Sequence, residues 1–147
     1  MKISGDNYID GASERIGAAY GMYASSRFVD AIYLAGVAVE CILRAFAIEE
    51  TDEFEGRHDL SRLMKAATLE RFIGEKQRQA ISAALGEVWT RWKNNYRYVG
   101  DDRLRSELKR LQLDRGIKGD ALKENARMVL ENAFTIVNKG TFQWKKK

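Results

Sequence analysis

The chain has 147 residues, of which 45% are hydrophobic and 31% are charged, and its formal net charge at neutral pH is +4. These values are typical of a folded globular domain and exclude a disordered chain. Proline is absent, which argues for helices and against a turn-rich β-sandwich. We therefore expect one all-α domain over residues 1–147.

The first predicted helix starts at Asp6 or Ser13 and runs to about residue 24, because its apolar and small residues recur at helical spacing. Ser25 and Ser26 then offer a break and a cap before the next helix. Two consecutive helices with so short a joint predict an antiparallel hairpin.

The second helix is predicted over residues 31–48, the most apolar segment of the chain. Its eighteen residues include one acid, Glu40, and one base, Arg44, so we expect it to form the centre of the core. Glu40 would then need a cationic partner or a place at the rim of the core. The single cysteine, Cys41, is interpreted as a packing thiol, with a reactive nucleophile as the alternative.

Four further helices are predicted. The third follows Asp59 as N-cap, after an acidic segment over 49–55, and the fourth runs from about Glu75 with apolar residues at spacings of four, three and four. A short fifth helix ends near Gly116. The last is capped by Asp120 and stopped at Gly140, leaving residues 141–147 as a frayed basic tail. The apolar positions of the fourth and fifth helices are Ile81, Leu85, Val88, Trp92, Leu104, Leu108 and Leu111.

Several classes of protein are excluded by missing residues. The chain has no phosphate-binding glycine loop and no pair of CxxC motifs, and its one histidine is His58, so we expect no cofactor and no metal site. No segment is apolar enough to favour a membrane helix or a signal peptide. One cysteine cannot form an internal disulfide, which favours a reducing cytoplasm.

Positive charge is concentrated between Arg91 and Lys118, where nine bases and four acids leave an excess of five positive charges. Within it, residues 91–98 interleave basic and aromatic side chains, a combination that contacts phosphates through charge and bases through stacking. The alternative is structural, with Trp89 and Trp92 as core anchors and with Arg91 and Lys93 on the solvent-exposed face.

Three segments in this order resemble the HEPN domains of bacteria and archaea. They are the apolar helix around residues 33–45, the His58-Asp59-Leu60 sequence, and the cluster of Arg, Trp and Tyr over residues 91–98. The resemblance covers about residues 9–139. It implies a helical bundle of five to six helices, commonly a homodimer, and in many members a metal-independent endoribonuclease.

The resemblance also implies a site. The HEPN ribonuclease motif is an arginine followed after four to six residues by a histidine, often with a tyrosine two residues further on. Arg91 matches the arginine and Tyr98 the tyrosine, but Tyr96 stands where the histidine is expected. A second alignment is also consistent with the sequence. Some HEPN branches end this segment in Trp and Arg-Tyr, which correspond here to Trp92, Arg97 and Tyr98. In those branches the ribonuclease motif is commonly degraded.

The missing histidine matters because RNA cleavage needs a group that takes the 2′-hydroxyl proton and another that stabilises the phosphorane charge. Arginine can do the second, but tyrosine is a poor base at neutral pH. The catalytic candidates are thus Arg91, Tyr96 and Tyr98, and His58 could replace the base or simply lie beside the Asp59 cap.

Three functions are consistent with this sequence. The first is a binding or regulatory module in a prokaryotic defence, stress or toxin–antitoxin system, which contacts RNA or a nucleotide through Arg91, Lys93, Arg97 and Tyr98. The second is an active ribonuclease toxin neutralised by a nucleotidyltransferase partner, as the resemblance implies. The third is a purely structural role in folding and dimer packing.

Overall fold

The computed structural model describes residues 1–50 and 75–146. Within these ranges the regular elements are five α-helices and one 3₁₀ turn. The helices are α1 (Gly5–Ala24), α2 (Phe28–Glu50), α3 (Glu75–Arg91), α4 (Asp101–Arg110) and α5 (Ala121–Lys145), and the 3₁₀ turn is Asn94–Tyr98. The predicted all-α bundle is therefore confirmed, while the helix predicted after Asp59 lies outside the described residues.

The predicted core helix, α2, packs against both α1 and α5, and α5 also packs against α3. Buried alanines and one glycine on α2 allow the neighbouring elements to approach its backbone closely. Gly36 lies against the Trp92 ring so closely that a Cβ atom there would overlap it. The Trp92 indole nitrogen donates to the Tyr33 carbonyl oxygen at 3.1 Å. Trp92 thus fixes the end of α3, and with it the following turn, against the core.

Glu40 is buried on α2, and Arg44, one turn later, is its ion-pair partner at 3.7 Å. This confirms the expectation that Glu40 needs a cation, since a buried lone charge is costly. Cys41 is half-buried, and burial raises the pKa of its thiol. A raised pKa disfavours the thiolate, which supports the interpretation of Cys41 as a packing residue.

Two predicted helix ends need correction. Helix α1 is capped by Ser4 in a capping box with Asn7, two residues before the predicted start at Asp6 and nine before the alternative at Ser13. Asp120 caps α5 as predicted, accepting from the amides of Leu122 and Lys123. Gly140 does not end that helix, because the glycine is buried against Ile42 and the backbone hydrogen bonding continues to Lys145.

Thr141–Lys145, expected in a frayed tail, thus continue α5 as helix. The Trp144 ring packs edge-on against Phe46 at a centroid distance of 5.3 Å, and its indole nitrogen donates to Asp6 at 2.7 Å. Packing on two other helices explains why this segment stays helical beyond the glycine.

Candidate functional site

The basic and aromatic segment begins at the end of α3, where the side chain of Arg91 turns toward α5 and is only 12% exposed. Its Nε donates to the Asn125 side-chain oxygen at 2.9 Å, and its Nη1 lies 2.5 Å from a Glu87 carboxylate oxygen. Asn125 is fully buried and donates in turn to the carbonyl oxygens of Leu113 and Ala121. Arg91 therefore joins α3 to the start of α5.

The two tyrosines of the 3₁₀ turn point in opposite directions. Tyr96 is buried at 4% exposure, whereas Tyr98 is 75% exposed. The guanidinium carbon of Arg97 lies 4.6 Å from the centroid of the Tyr98 ring, a cation–π arrangement. The turn thus presents a cation and a ring to solvent while Tyr96 anchors it.

A small pocket of about 150 Å³, here called the Tyr96 pocket, lies between the turn and α4. Its polar lining consists of Lys93, Asn95, Tyr96, Arg103 and Glu107. Glu107 accepts from Lys93 Nζ at 3.3 Å and also pairs with Arg110. The pocket therefore combines two cationic side chains with one carboxylate that is already paired.

The pKa values of this region follow from these contacts. The hydrogen bond from Arg110, then that from Lys93, lowers the pKa of Glu107 from 4.5 to about 2. Burial, and then the Glu107 charge, raises the pKa of Tyr96 above its usual value of 10. At neutral pH Glu107 is charged and the Tyr96 hydroxyl keeps its proton, so Tyr96 is suited to donate a hydrogen bond.

A larger groove of about 580 Å³ lies between α4 and the start of α5. At its edge the Arg105 guanidinium donates to both carboxylate oxygens of Asp120, at 2.6 and 3.2 Å. Asp120 also caps α5, so this pair has a structural role in holding α4 against that cap.

The structural interpretation of the segment is correct for Trp92, which is buried, and for Lys93, which is exposed. It is wrong for Trp89, which is 58% exposed, and for Arg91, which turns inward. Within residues 1–50 and 75–146, no hydrogen bond or ring contact joins Arg91 to Tyr96 or Tyr98. His58 lies outside the described residues.

Sequence reasoning missed Asn125, Glu107 and Arg103. Asn125 carried a signal, because it lies three residues after Leu122 on the apolar face of α5, where an amide needs partners. Glu107 and Arg103 carried none, since each lies among other charged residues and its proximity to the turn depends on how α4 packs.

The helices of the described residues form an all-α bundle, with a basic and aromatic 3₁₀ turn between α3 and α4. The HEPN domain family matches residues 6–141, and the chain belongs to this family. No curated protein and no solved structure matches the chain significantly. In the described part of the chain, no helix is long and apolar enough to cross a membrane.

Proposed function

We propose that this HEPN domain is an RNA- or nucleotide-binding regulatory module whose ribonuclease activity is lost or weak. The observation that carries the proposal is the exposed pair of Arg97 and Tyr98. A ring that is 75% exposed, with a guanidinium 4.6 Å away, offers a stacking face and a positive charge at one point. Lys93 and Arg103 add exposed positive charge nearby.

Two features support the loss of catalysis. The motif position of the histidine holds Tyr96, which is buried and whose raised pKa opposes proton abstraction at neutral pH. The motif arginine, Arg91, is held by Glu87 and Asn125. The Glu87 carboxylate offsets part of the positive charge that Arg91 could offer to a phosphate.

The test is binding of a fluorescently labelled single-stranded RNA, followed by anisotropy at fixed salt. Tyr98→Ala should weaken binding by about 5- to 100-fold, the range expected for loss of one base–aromatic stack. Tyr98→Phe should retain most of the affinity, because the ring remains.

Phe142→Ala is the matched control, since Phe142 is 57% exposed and Lys146 Nζ lies 4.4 Å from its ring centroid. The Phe142–Lys146 pair also places a cation over an exposed ring, but it lies outside the 3₁₀ turn. Removing this ring should therefore leave RNA affinity unchanged. Equal losses in Tyr98→Ala and Phe142→Ala would contradict the proposed location, and no RNA binding by the wild type would contradict the function.

The alternative function is an active metal-independent endoribonuclease neutralised by a nucleotidyltransferase partner. Arg91 favours it, because the motif arginine is retained and its side chain keeps some exposure. Cleavage of structured RNA in EDTA by the wild type, absent in Arg91→Ala, would establish this alternative. No cleavage by either protein would favour the binding module over the ribonuclease, with RNA affinity as the next quantity to measure.

The cellular setting belongs to the same proposal. We place the domain in the cytoplasm of a prokaryote, in a defence, stress or toxin–antitoxin system, as a homodimer. The family resemblance supports the dimer, because HEPN domains commonly pair. Light scattering that gives the mass of a monomer at micromolar concentration would contradict it.

A further inference from the structure

The hydroxyl oxygen of Tyr96 is buried and has no hydrogen-bond partner among the described residues. Such a group is unusual, because buried hydroxyls are normally paired and an unpaired one costs stability. Tyr96 lines the Tyr96 pocket, and the charges of Glu107 and Arg110 both act on its hydroxyl. The hydroxyl therefore lies in a charged environment with an unused capacity to donate.

The charges around the pocket favour an anion. Lys93, Arg103 and Glu107 line it, and Arg110 lies at its edge as a second ion-pair partner of Glu107. These three cations and one carboxylate leave an excess of two positive charges. The side-chain amide of Asn95 adds a further donor. Residues with donors of three kinds thus line a space of about 150 Å³.

We propose that the Tyr96 pocket binds a phosphate monoester, either the terminal phosphate of an RNA strand or the phosphate of a free nucleotide. The inference deepens the proposed function and rests on it for the source of the phosphate. The Tyr96 hydroxyl donates to one phosphate oxygen, while Lys93 and Arg103 neutralise the charge.

A monoester fits this pocket better than a phosphodiester within a strand. It carries up to two negative charges and three free oxygens, and it enters a small pocket from one side. A phosphodiester must leave room for the chain on both sides of the phosphate. The size of the pocket therefore selects for a strand end or a free nucleotide.

Glu107 opposes the phosphate, because its carboxylate stays charged at neutral pH and holds Lys93. Lys93 has three N–H donors and can contact a phosphate oxygen while Glu107 stays paired with Arg110, but the charge of Glu107 repels the phosphate. Because a neutral side chain at this position no longer repels the phosphate, Glu107→Gln should tighten phosphate binding. Glu14→Gln, which removes the same charge from an exposed residue of α1, should change the affinity much less, and equal effects would indicate general attraction of anions.

The first experiment titrates inorganic phosphate into the full chain by calorimetry, with chloride adjusted to constant ionic strength. Saturable binding is expected for the wild type, with about tenfold weaker binding by Tyr96→Phe, since a hydrogen bond to a charged group is lost. Circular dichroism checks that Tyr96→Phe folds. Absence of saturable binding, or equal affinity in Tyr96→Phe, would overturn the proposal.

The second experiment identifies the source of the phosphate. It compares an RNA oligonucleotide with a 5′-phosphate, the same oligonucleotide with a 5′-hydroxyl, and a nucleoside monophosphate. A preference for the phosphorylated strand that shrinks in Tyr96→Phe supports the strand end, whereas binding of the monophosphate without binding of RNA supports the free nucleotide.

The two proposals fail in different ways. In one outcome, the protein binds RNA through Tyr98 but does not bind phosphate and does not distinguish strand ends. This result would overturn the proposed phosphate site and leave the proposed RNA-binding function in place. In the other outcome, the protein binds phosphate saturably but does not bind RNA. This result would support the phosphate site and exclude RNA as its ligand.

Discussion

Gly36 of α2 lies against the indole ring of Trp92, and a Cβ atom at this position would overlap the ring. The contact joins the central helix to Trp92, which follows α3 and lies two residues before the 3₁₀ turn. Because the Trp92 nitrogen also donates to the Tyr33 carbonyl oxygen, the ring cannot move aside without losing that hydrogen bond.

We expect Gly36→Ala to lower the free energy of unfolding by about 1–3 kcal/mol, the usual cost of overpacking a core. The control is Gly17→Ala in α1, where an added Cβ meets no atom within 4 Å. It should raise the free energy of unfolding by up to about 1 kcal/mol, because alanine favours a helix. Urea denaturation of both variants measures the difference, and equal midpoints would contradict the close packing.

The bond between Arg91 and Asn125 predicts energetic coupling between α3 and α5. Arg91→Ala and Asn125→Ala should each destabilise the fold, and the double variant should lose less than their sum, with a coupling of about 0.5–3 kcal/mol. Arg97→Ala combined with Asn125→Ala is the control and should be additive. Additivity in the Arg91 cycle would show that the hydrogen bond contributes nothing to stability.

The charge on Arg97 should appear in the salt dependence of RNA binding. Arg97→Gln is expected to reduce the slope of log affinity against log salt by about 0.7, the value for one phosphate contact on a single strand. Arg15→Gln in α1 removes an equal charge that lies outside the turn and should leave the slope unchanged. An unchanged slope in Arg97→Gln would limit Arg97 to supporting the Tyr98 ring.

Glu107 should contribute to stability in a pH-dependent way. Pairing with Arg110 and Lys93 lowers its pKa from 4.5 to about 2, so its contribution is complete above pH 4.5 and is lost as pH falls toward 2. The difference in urea midpoint between wild type and Glu107→Gln should therefore shrink as pH falls from 4.5 toward 2. Arg110→Gln should show the same trend, and a gap that is constant with pH would contradict the pairing.

The contacts of Trp144 predict that the end of α5 stabilises the bundle. Trp144→Ala removes the packing against Phe46 and the hydrogen bond to Asp6, and should cost about 1–3 kcal/mol, less than for a fully buried tryptophan. Phe142→Ala changes a more exposed ring of the same helix and should cost about 0.5 kcal/mol or less. Thermal unfolding of the two variants distinguishes them, and equal melting temperatures would indicate a frayed tail.

The helices were predictable because their signals are local. Ile81, Leu85 and Val88 follow the helical period and are buried, and Asp120 caps the helix that follows it. Gly140 misled the prediction, because what keeps it helical is Ile42, which lies 98 positions earlier in the chain. A glycine is a stop signal only where no packing partner covers it.

The site was predictable in part. The segment 91–98 was found from its residue types, but the direction of each side chain depends on the turn that follows α3. Tyr96 and Tyr98 are chemically alike in the sequence, and only the packing of α4 buries one and exposes the other. One partner of Arg91, Glu87, lies at the local helical spacing of four residues, but the other, Asn125, lies 34 residues away in the sequence, where no local pattern identifies it.

The hydrogen bond between Asp6 and Trp144 brings the start of α1 to the end of α5. A short flexible peptide could therefore connect the two ends, and new ends could be opened at Ser25 and Ser26, the exposed joint between α1 and α2. In such a circular permutant α1 would follow α5 directly and keep its contacts with α2 and α5. The packing of this bundle is thus compatible with more than one chain order.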